Sequence, residues 1–172
     1  MSGNIVLTGF MGTGKSTVGK LLAARLGWRF VDTDALIEER AGKSVAAIFK
    51  DQGEAAFRRM ETALAKELAD EKNLVIATGG KFMLAAENVR ALAASLTANR
   101  IFCLTASPAE ILARVMADGP ALRPLLAGDE PETKIRRLLA EREAGYACFP
   151  AVSTSGKTPD EIASEILSLT QQ

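Results

Sequence analysis

The stretch Gly9-Phe-Met-Gly-Thr-Gly-Lys-Ser16 decides the fold prediction for this chain. It matches the pattern GxxxxGK[ST] without a gap, follows a short apolar run and opens a segment with helical spacing. Its glycines permit backbone angles that a side chain would obstruct, so successive N–H groups can face phosphate oxygens. The helix that follows adds the positive end of its dipole. The stretch therefore predicts a loop that binds the phosphates of a nucleotide.

Residue types in this loop predict how it binds the nucleotide. Lys15 should reach the terminal phosphates, and the hydroxyl of Ser16 should bind Mg²⁺. Four further loop residues are expected to contact the nucleotide: Gly12, Thr13, Gly14 and Thr17. The chain has no NKxD tetrapeptide for guanine, which favours ATP.

The hydrophobic pattern predicts alternating strands and helices over a single domain, residues 1–172. Short apolar runs predict five strands: Asn4–Thr8, Arg29–Asp32, Leu74–Ala77, Ile101–Leu104 and Ala151–Ser153. Helices are predicted at Lys15–Leu26, Asp34–Arg40, 44–68 with a break at Gly53, Glu87–Leu96, Pro108–Met116, Glu132–Gly145 and Pro159–Leu169. This order predicts an α/β fold of three layers, a five-stranded parallel sheet flanked by helices. Ligands of such sheets bind at the carboxyl ends of the strands.

Composition excludes several classes of function. The 172 residues include no histidine, so Ser–His and Cys–His nucleophile pairs and histidine metal sites are excluded. Lys+Arg and Asp+Glu both number 21, and zero net charge argues against nucleic-acid or membrane-surface partners. Cys103 and Cys148 lack CxxC spacing, which argues for a cytoplasmic protein without disulfides. We expect no membrane span or signal peptide, and a monomer.

Two carboxylates, Asp32 and Asp34, follow the second predicted strand at the edge where the phosphate loop lies. One could bind Mg²⁺ through water, and the other could accept a hydrogen bond from an attacking hydroxyl. Asp34 is also predicted to be the N-cap of the next helix, and the alternative is that this is its only role while Asp32 is solvated.

Glycines and arginines supply further candidates at the same edge. Gly79 and Gly80 end the third predicted strand and would let backbone amides approach a small ligand, unless they form an ordinary turn. Arg58 and Arg142 could each bind a carboxylate through two hydrogen bonds, although most helical arginines lie in solvent.

The Gly- and Pro-rich stretch at about 117–130 is predicted to form a mobile lid. Arg123 lies within it and would approach the transferring phosphoryl group when the lid closes. The alternative is a solvated connector.

In their order along the chain these motifs resemble the shikimate kinase family. The resemblance covers nearly the whole sequence. It rests on Gly9–Thr17, Phe30–Asp34, Ile37-Glu38, Ile48-Phe49, Gly53-Glu54, Phe57-Arg58 with Glu61, Ala77–Gly80, Arg123–Leu126 and Arg142 with Tyr146.

The resemblance implies a P-loop kinase fold like that of nucleoside monophosphate kinases, and transfer of the ATP γ-phosphoryl group to the 3-hydroxyl of shikimate. It implies catalytic roles for Lys15, Asp34 and Arg123, and acceptor-binding helices at about 33–61. Asp34 would orient the acceptor hydroxyl, Arg58 and Arg142 would hold its carboxylate, and Gly79 and Gly80 would line its ring. Ser16 and Asp32 would serve Mg²⁺. Arg114 would lie against adenine, with Pro159 on the other side.

The sequence departs from the family pattern where a third glycine is usual, because Lys81 follows Gly80. If this position had a positive φ, lysine would be strained by about 1 kcal/mol. A lysine side chain in the pocket could also favour another acceptor. Two alternatives therefore stay open: a kinase for another small carboxylate-bearing polyol, and a nucleotide-binding protein that has lost transfer activity.

Overall fold

The computed structural model describes residues 3–93, 99–117 and 130–170. The strands in this part of the chain are β1 (Ile5–Gly9), β2 (Arg29–Asp32), β3 (Leu74–Ala77), β4 (Arg100–Thr105) and β5 (Ala151–Ser153). The helices are α1 (Lys15–Leu26), α2 (Thr33–Ala41), α3 (Val45–Gln52), α4 (Glu54–Asp70), α5 (Ala86–Ala93), α6 (Pro108–Ala117), α7 (Pro131–Tyr146) and α8 (Pro159–Leu169). A 3₁₀ turn at Phe82–Leu84, which the sequence pattern did not predict, follows β3.

The five strands form one parallel sheet in the order β2-β3-β1-β4-β5. Ile5 of β1 pairs with Val75 of β3 on one side and Arg100 of β4 on the other. Every residue of β1 is buried, as expected for a central strand covered on both faces. The predicted α/β fold is confirmed, and the phosphate loop leaves the middle of the sheet.

Apolar side chains pack on both faces of the sheet. Val6 packs with Ile48 and Phe57, under the helices that follow β2. Its neighbours in β1 point the other way and pack with α1 and α8. Because successive strand residues face opposite sides, one strand contributes to both halves of the core. Each fully buried side chain of this size contributes about 1.5–3 kcal/mol of transfer free energy.

The boundaries of the helices after β2 have local causes. Asp32 is the N-cap of α2, since its side chain accepts hydrogen bonds from the N–H groups of Asp34 and Ala35. The prediction that Asp34 is the N-cap is wrong, because Asp32 still has extended angles (φ −104°) while Asp34 lies inside the first turn. Gly53, with φ +81°, separates α3 from α4 as predicted.

Two predictions fall on residues outside the described ranges. The proposed lid at about 117–130 is described only at its two ends, and Arg123 lies outside. The predicted helix Glu87–Leu96 is described up to Ala93. Of the helices just given, none combines the length and the apolar character that crossing a bilayer requires.

Candidate active site

The phosphate loop has the backbone conformation that its glycines predict. Gly9, Gly12 and Gly14 have φ values of +129°, +72° and +90°, which residues with side chains rarely adopt. A Cβ at Gly9 would also overlap the carbonyl oxygen of Leu104. The loop ends at Lys15, where α1 begins, so the N-terminal N–H groups of α1 face the loop.

The ammonium of Lys15 lies inside the loop. Its Nζ donates to the carbonyl oxygens of Gly9 (2.8 Å) and Phe10 (2.7 Å). Thr13 Oγ1 donates to the same Phe10 oxygen at 2.8 Å, which braces the loop from inside. Lys15 is thus held on the loop by hydrogen bonds to two of its carbonyl oxygens.

The predicted metal ligands lie side by side. Ser16 Oγ donates to Asp32 Oδ2 at 2.8 Å, while the other carboxylate oxygen caps α2. Both carboxylate oxygens of Asp32 therefore accept hydrogen bonds from the protein, and Asp32 is not merely solvated. A hydroxyl and a carboxylate are the oxygen donors that Mg²⁺ takes when it binds mainly to phosphate oxygens and water. No cluster of three or more acidic or sulfur ligands occurs among the described residues.

Asp34 is a half-buried residue with one carboxylate oxygen enclosed. This oxygen, Oδ1, is inaccessible to solvent and has no hydrogen-bond partner among the described residues, and a Cβ on Gly79 would overlap it. Burial, together with the charge of Asp32, raises the pKa of Asp34 from 3.8 to about 6, while Lys15 and Arg58 act in the opposite direction. An unsatisfied acceptor in such a place is typical of a site that binds a donor on a ligand.

Arg58 lies between two carboxylates of its own helix. Its Nη1 donates to Glu61 Oε2 at 2.6 Å, and its Nη2 donates to Glu54 Oε1 at 2.8 Å. Glu61 is only 1% exposed, and burial raises the pKa of its carboxyl. Sequence reasoning assigned no role to Glu61, although its spacing of three residues from Arg58 indicates a contact on one helix face.

Arg142 is brought to the same edge of the sheet by α7. It is 6% exposed, and its guanidinium carbon lies 5.1 Å from the centre of the Phe10 ring. Tyr146, one turn later, donates its hydroxyl to the carbonyl oxygen of Gly80 at 2.6 Å. A Cβ on Gly80 would lie 3.2 Å from Arg142 Nη1. The structure therefore places Gly80 and Arg142 together, although 62 positions separate them.

A cavity of about 220 Å³ lies beyond the phosphate loop, between α6 and α8. Its lining includes Thr13, Gly14, Thr17, Arg114, Thr154 and Pro159. Arg114 is fixed there by donating to Gly12 O at 3.2 Å and to Thr154 Oγ1 at 3.0 Å. The two residues expected around an adenine thus share one cavity. Sequence reasoning missed Thr154, a buried polar residue after the edge strand.

Lys81 adopts an unstrained conformation. Its φ is −110°, so the penalty considered for a positive φ does not arise. Its Nζ lies 3.2 Å from Glu54 Oε1, on the side of Arg58.

This fold and site define a P-loop kinase. A family model described as shikimate kinase matches residues 11–171. Proteins named shikimate kinase from Caldanaerobacter subterraneus subsp. tengcongensis and Geobacter sulfurreducens are each 44% identical to this chain. The alignments cover 95% and 98% of this chain, and 94% and 91% of those proteins. A solved structure, shikimate kinase from Acinetobacter baumannii in complex with shikimate, is similar with a TM-score of 0.89 and 36% identity, covering 98% of this chain and 93% of that one. The chain belongs to the shikimate kinase family.

Proposed function

We propose that this protein transfers the γ-phosphoryl group of ATP to the 3-hydroxyl of shikimate. The observation that carries the proposal is the half-buried carboxylate of Asp34, whose pKa is raised, at the carboxyl edge of the sheet beside the phosphate loop. Family membership and the relative solved with shikimate support the same acceptor. Helices α2 to α4 then form the acceptor-binding segment.

Asp34 orients the acceptor in this mechanism. The carboxylate of Asp34 accepts a hydrogen bond from the attacking hydroxyl and takes its proton as the new P–O bond forms and the bond to the leaving ADP breaks. Lys15 leaves the loop carbonyls for the terminal phosphate oxygens and stabilises charge on the group in transfer. The lid and its Arg123 stay a prediction from sequence.

Arg58 and Arg142 are the acceptor's carboxylate ligands in the proposal. Both are basic groups that α4 and α7 hold at the edge where Asp34 lies, and we expect Gly79 and Gly80, which lie against Asp34 and Arg142, to line the acceptor's ring. Arginine suits this role because its planar fork binds a carboxylate through two hydrogen bonds. Any acceptor of this site should therefore be an anion with a hydroxyl.

Mg²⁺ fits Ser16 and Asp32, whose oxygens lie 2.8 Å apart. When bound there with ATP it neutralises phosphate charge.

We extend the proposal to a monomer in the cytoplasm. Two large apolar side chains, Phe49 and Met116, are exposed among the described residues, and both cysteines are free thiols.

ADP release with Mg-ATP tests the function. Shikimate should support turnover, whereas quinate, gluconate and a reaction without acceptor should give background rates. Turnover with another acid alone would keep the kinase and replace the acceptor. ATP binding without turnover on any acceptor would favour a silent nucleotide-binding protein.

A further inference from the structure

Lys81 links the turn after β3 to the first residue of α4. Its Nζ donates to Glu54 Oε1 at 3.2 Å, and the two side chains are 46% and 56% exposed. The same Glu54 oxygen accepts from Nη2 and Nε of Arg58, at 2.8 and 3.2 Å. Glu54 is therefore shared between two cations on different elements.

The charges around Arg58 show what this sharing achieves. Glu54 and Glu61 both contact its guanidinium, so the three groups together carry one excess negative charge. An acceptor carboxylate approaching Arg58 would be repelled by that excess negative charge. Lys81 supplies the compensating positive charge, and hydrogen bonds from Arg58 and Lys81 hold the pKa of Glu54 below its usual value.

The two carboxylates differ in how readily they can leave Arg58. Glu61 is buried, so separating it from the guanidinium would leave a desolvated charge without a partner. Glu54 is exposed and already has a second cation within reach. An incoming carboxylate can therefore replace Glu54 on Arg58 while Glu54 stays paired with Lys81.

We propose that Lys81 is a specificity-determining positioning residue that holds Glu54 when an anionic acceptor takes its place on Arg58. It acts through Glu54 and raises affinity for acceptors that carry a carboxylate. The inference rests on the proposed function, and it gives a role to the residue that stands where the family usually has glycine.

Steady-state kinetics of Lys81→Met, Lys81→Arg and a matched control test the inference. Lys81→Met should raise the KM for shikimate about fivefold, with kcat and the KM for ATP unchanged. A fivefold change in affinity is close to the largest effect that a single surface ion pair usually has. Lys81→Arg, which keeps the charge, should restore most of the affinity. Arg29→Met is the control, because Arg29 begins β2 at the amino edge of the sheet and its exposed ion pair is with Glu71, at 2.6 Å. An unchanged KM in Lys81→Met, or an equal rise in Arg29→Met, would overturn the proposal.

A double-mutant cycle separates action through Glu54 from direct contact with the acceptor. In a Glu54→Gln background the carboxylate that Lys81 holds is gone, so adding Lys81→Met should leave the KM for shikimate unchanged. A further fivefold rise in that background would mean that Lys81 contacts the acceptor itself, and would overturn the mechanism proposed here. If the wild-type chain neither binds shikimate nor turns it over, the function and this inference are rejected together. If the wild-type chain turns over shikimate but the variants do not show the predicted changes in KM, the inference alone is rejected.

Discussion

At the scale of single residues, Asp34 combines an unfavourable environment with the catalytic role that we propose for it. Burial raises its pKa to about 6, and Oδ1 has no partner, so the ligand-free protein holds a poorly solvated carboxylate there. Lys15 and Arg58 offset this only in part. Such strain at a polar group is common where a protein is shaped for a ligand rather than for its own stability.

Replacing Asp34 by Asn tests its task. The amide keeps the size but cannot take a proton, so phosphoryl transfer should fall by about 10²-fold or more. ATP binding should survive, because the phosphate loop and the cavity at Arg114 do not include this side chain. The measurements are ADP release with shikimate and calorimetric titration with ATP. Normal turnover in the variant would restrict Asp34 to a structural part in α2.

At the scale of elements, the turn after β3 is shaped by what lies opposite. Thr33 Oγ1, at the start of α2, accepts a hydrogen bond from Gly79 N at 2.9 Å. The next residue along α2, Asp34, occupies the space where a Cβ of Gly79 would be. This glycine is therefore required by a close approach of two elements and not by a positive φ.

Gly79→Ala should reduce kcat by about tenfold or more, because the methyl group displaces the carboxylate of Asp34, which we propose to be catalytic, and small misplacements of a catalytic group are costly. Gly80→Ala is the comparison, since its new Cβ would meet the end of the flexible Arg142 side chain at 3.2 Å. That variant should change the KM for shikimate more than kcat. Thermal melts would show whether both variants fold. Equal kcat values in the two would contradict this account of Gly79.

The helices and strands were largely predictable from local patterns. The break at Gly53 and the starts of α6 and α8 at Pro108 and Pro159 follow from residue types with restricted or unusual backbones. The N-cap of α2 was assigned to the wrong aspartate, because both Asp32 and Asp34 are favourable cap residues and only the direction of the chain leaving β2 selects one.

At the scale of the whole molecule, the titration of Asp34 links the site to stability. Its pKa is higher in the folded state than the unfolded value of 3.8, so the folded protein binds more protons between pH 3.8 and 6. Stability from this group therefore falls as the pH rises through that window. The loss is complete above pH 6 and amounts to about 3 kcal/mol.

Asp34→Asn should accordingly gain stability relative to the wild type as the pH rises. We expect the difference in unfolding free energy to grow by about 2.4 kcal/mol between pH 4 and pH 7, in metal-free protein without nucleotide. Urea unfolding of both proteins with a chelator present measures it. A difference that stays constant with pH would show that the folded carboxylate titrates as it does in the unfolded chain.

The sequence by itself determined the parallel α/β fold, the phosphate loop and the family, because hydrophobic periodicity and a glycine pattern act over short stretches of chain. The sequence also identified Asp34, Arg58 and Arg142 as candidate site residues. Only the tertiary structure decided the contacts between elements: Gly79 against Asp34, and Lys81 on Glu54. These contacts join residues on separate elements or depend on burial, and both arise when the sheet brings the ends of distant strands to one edge.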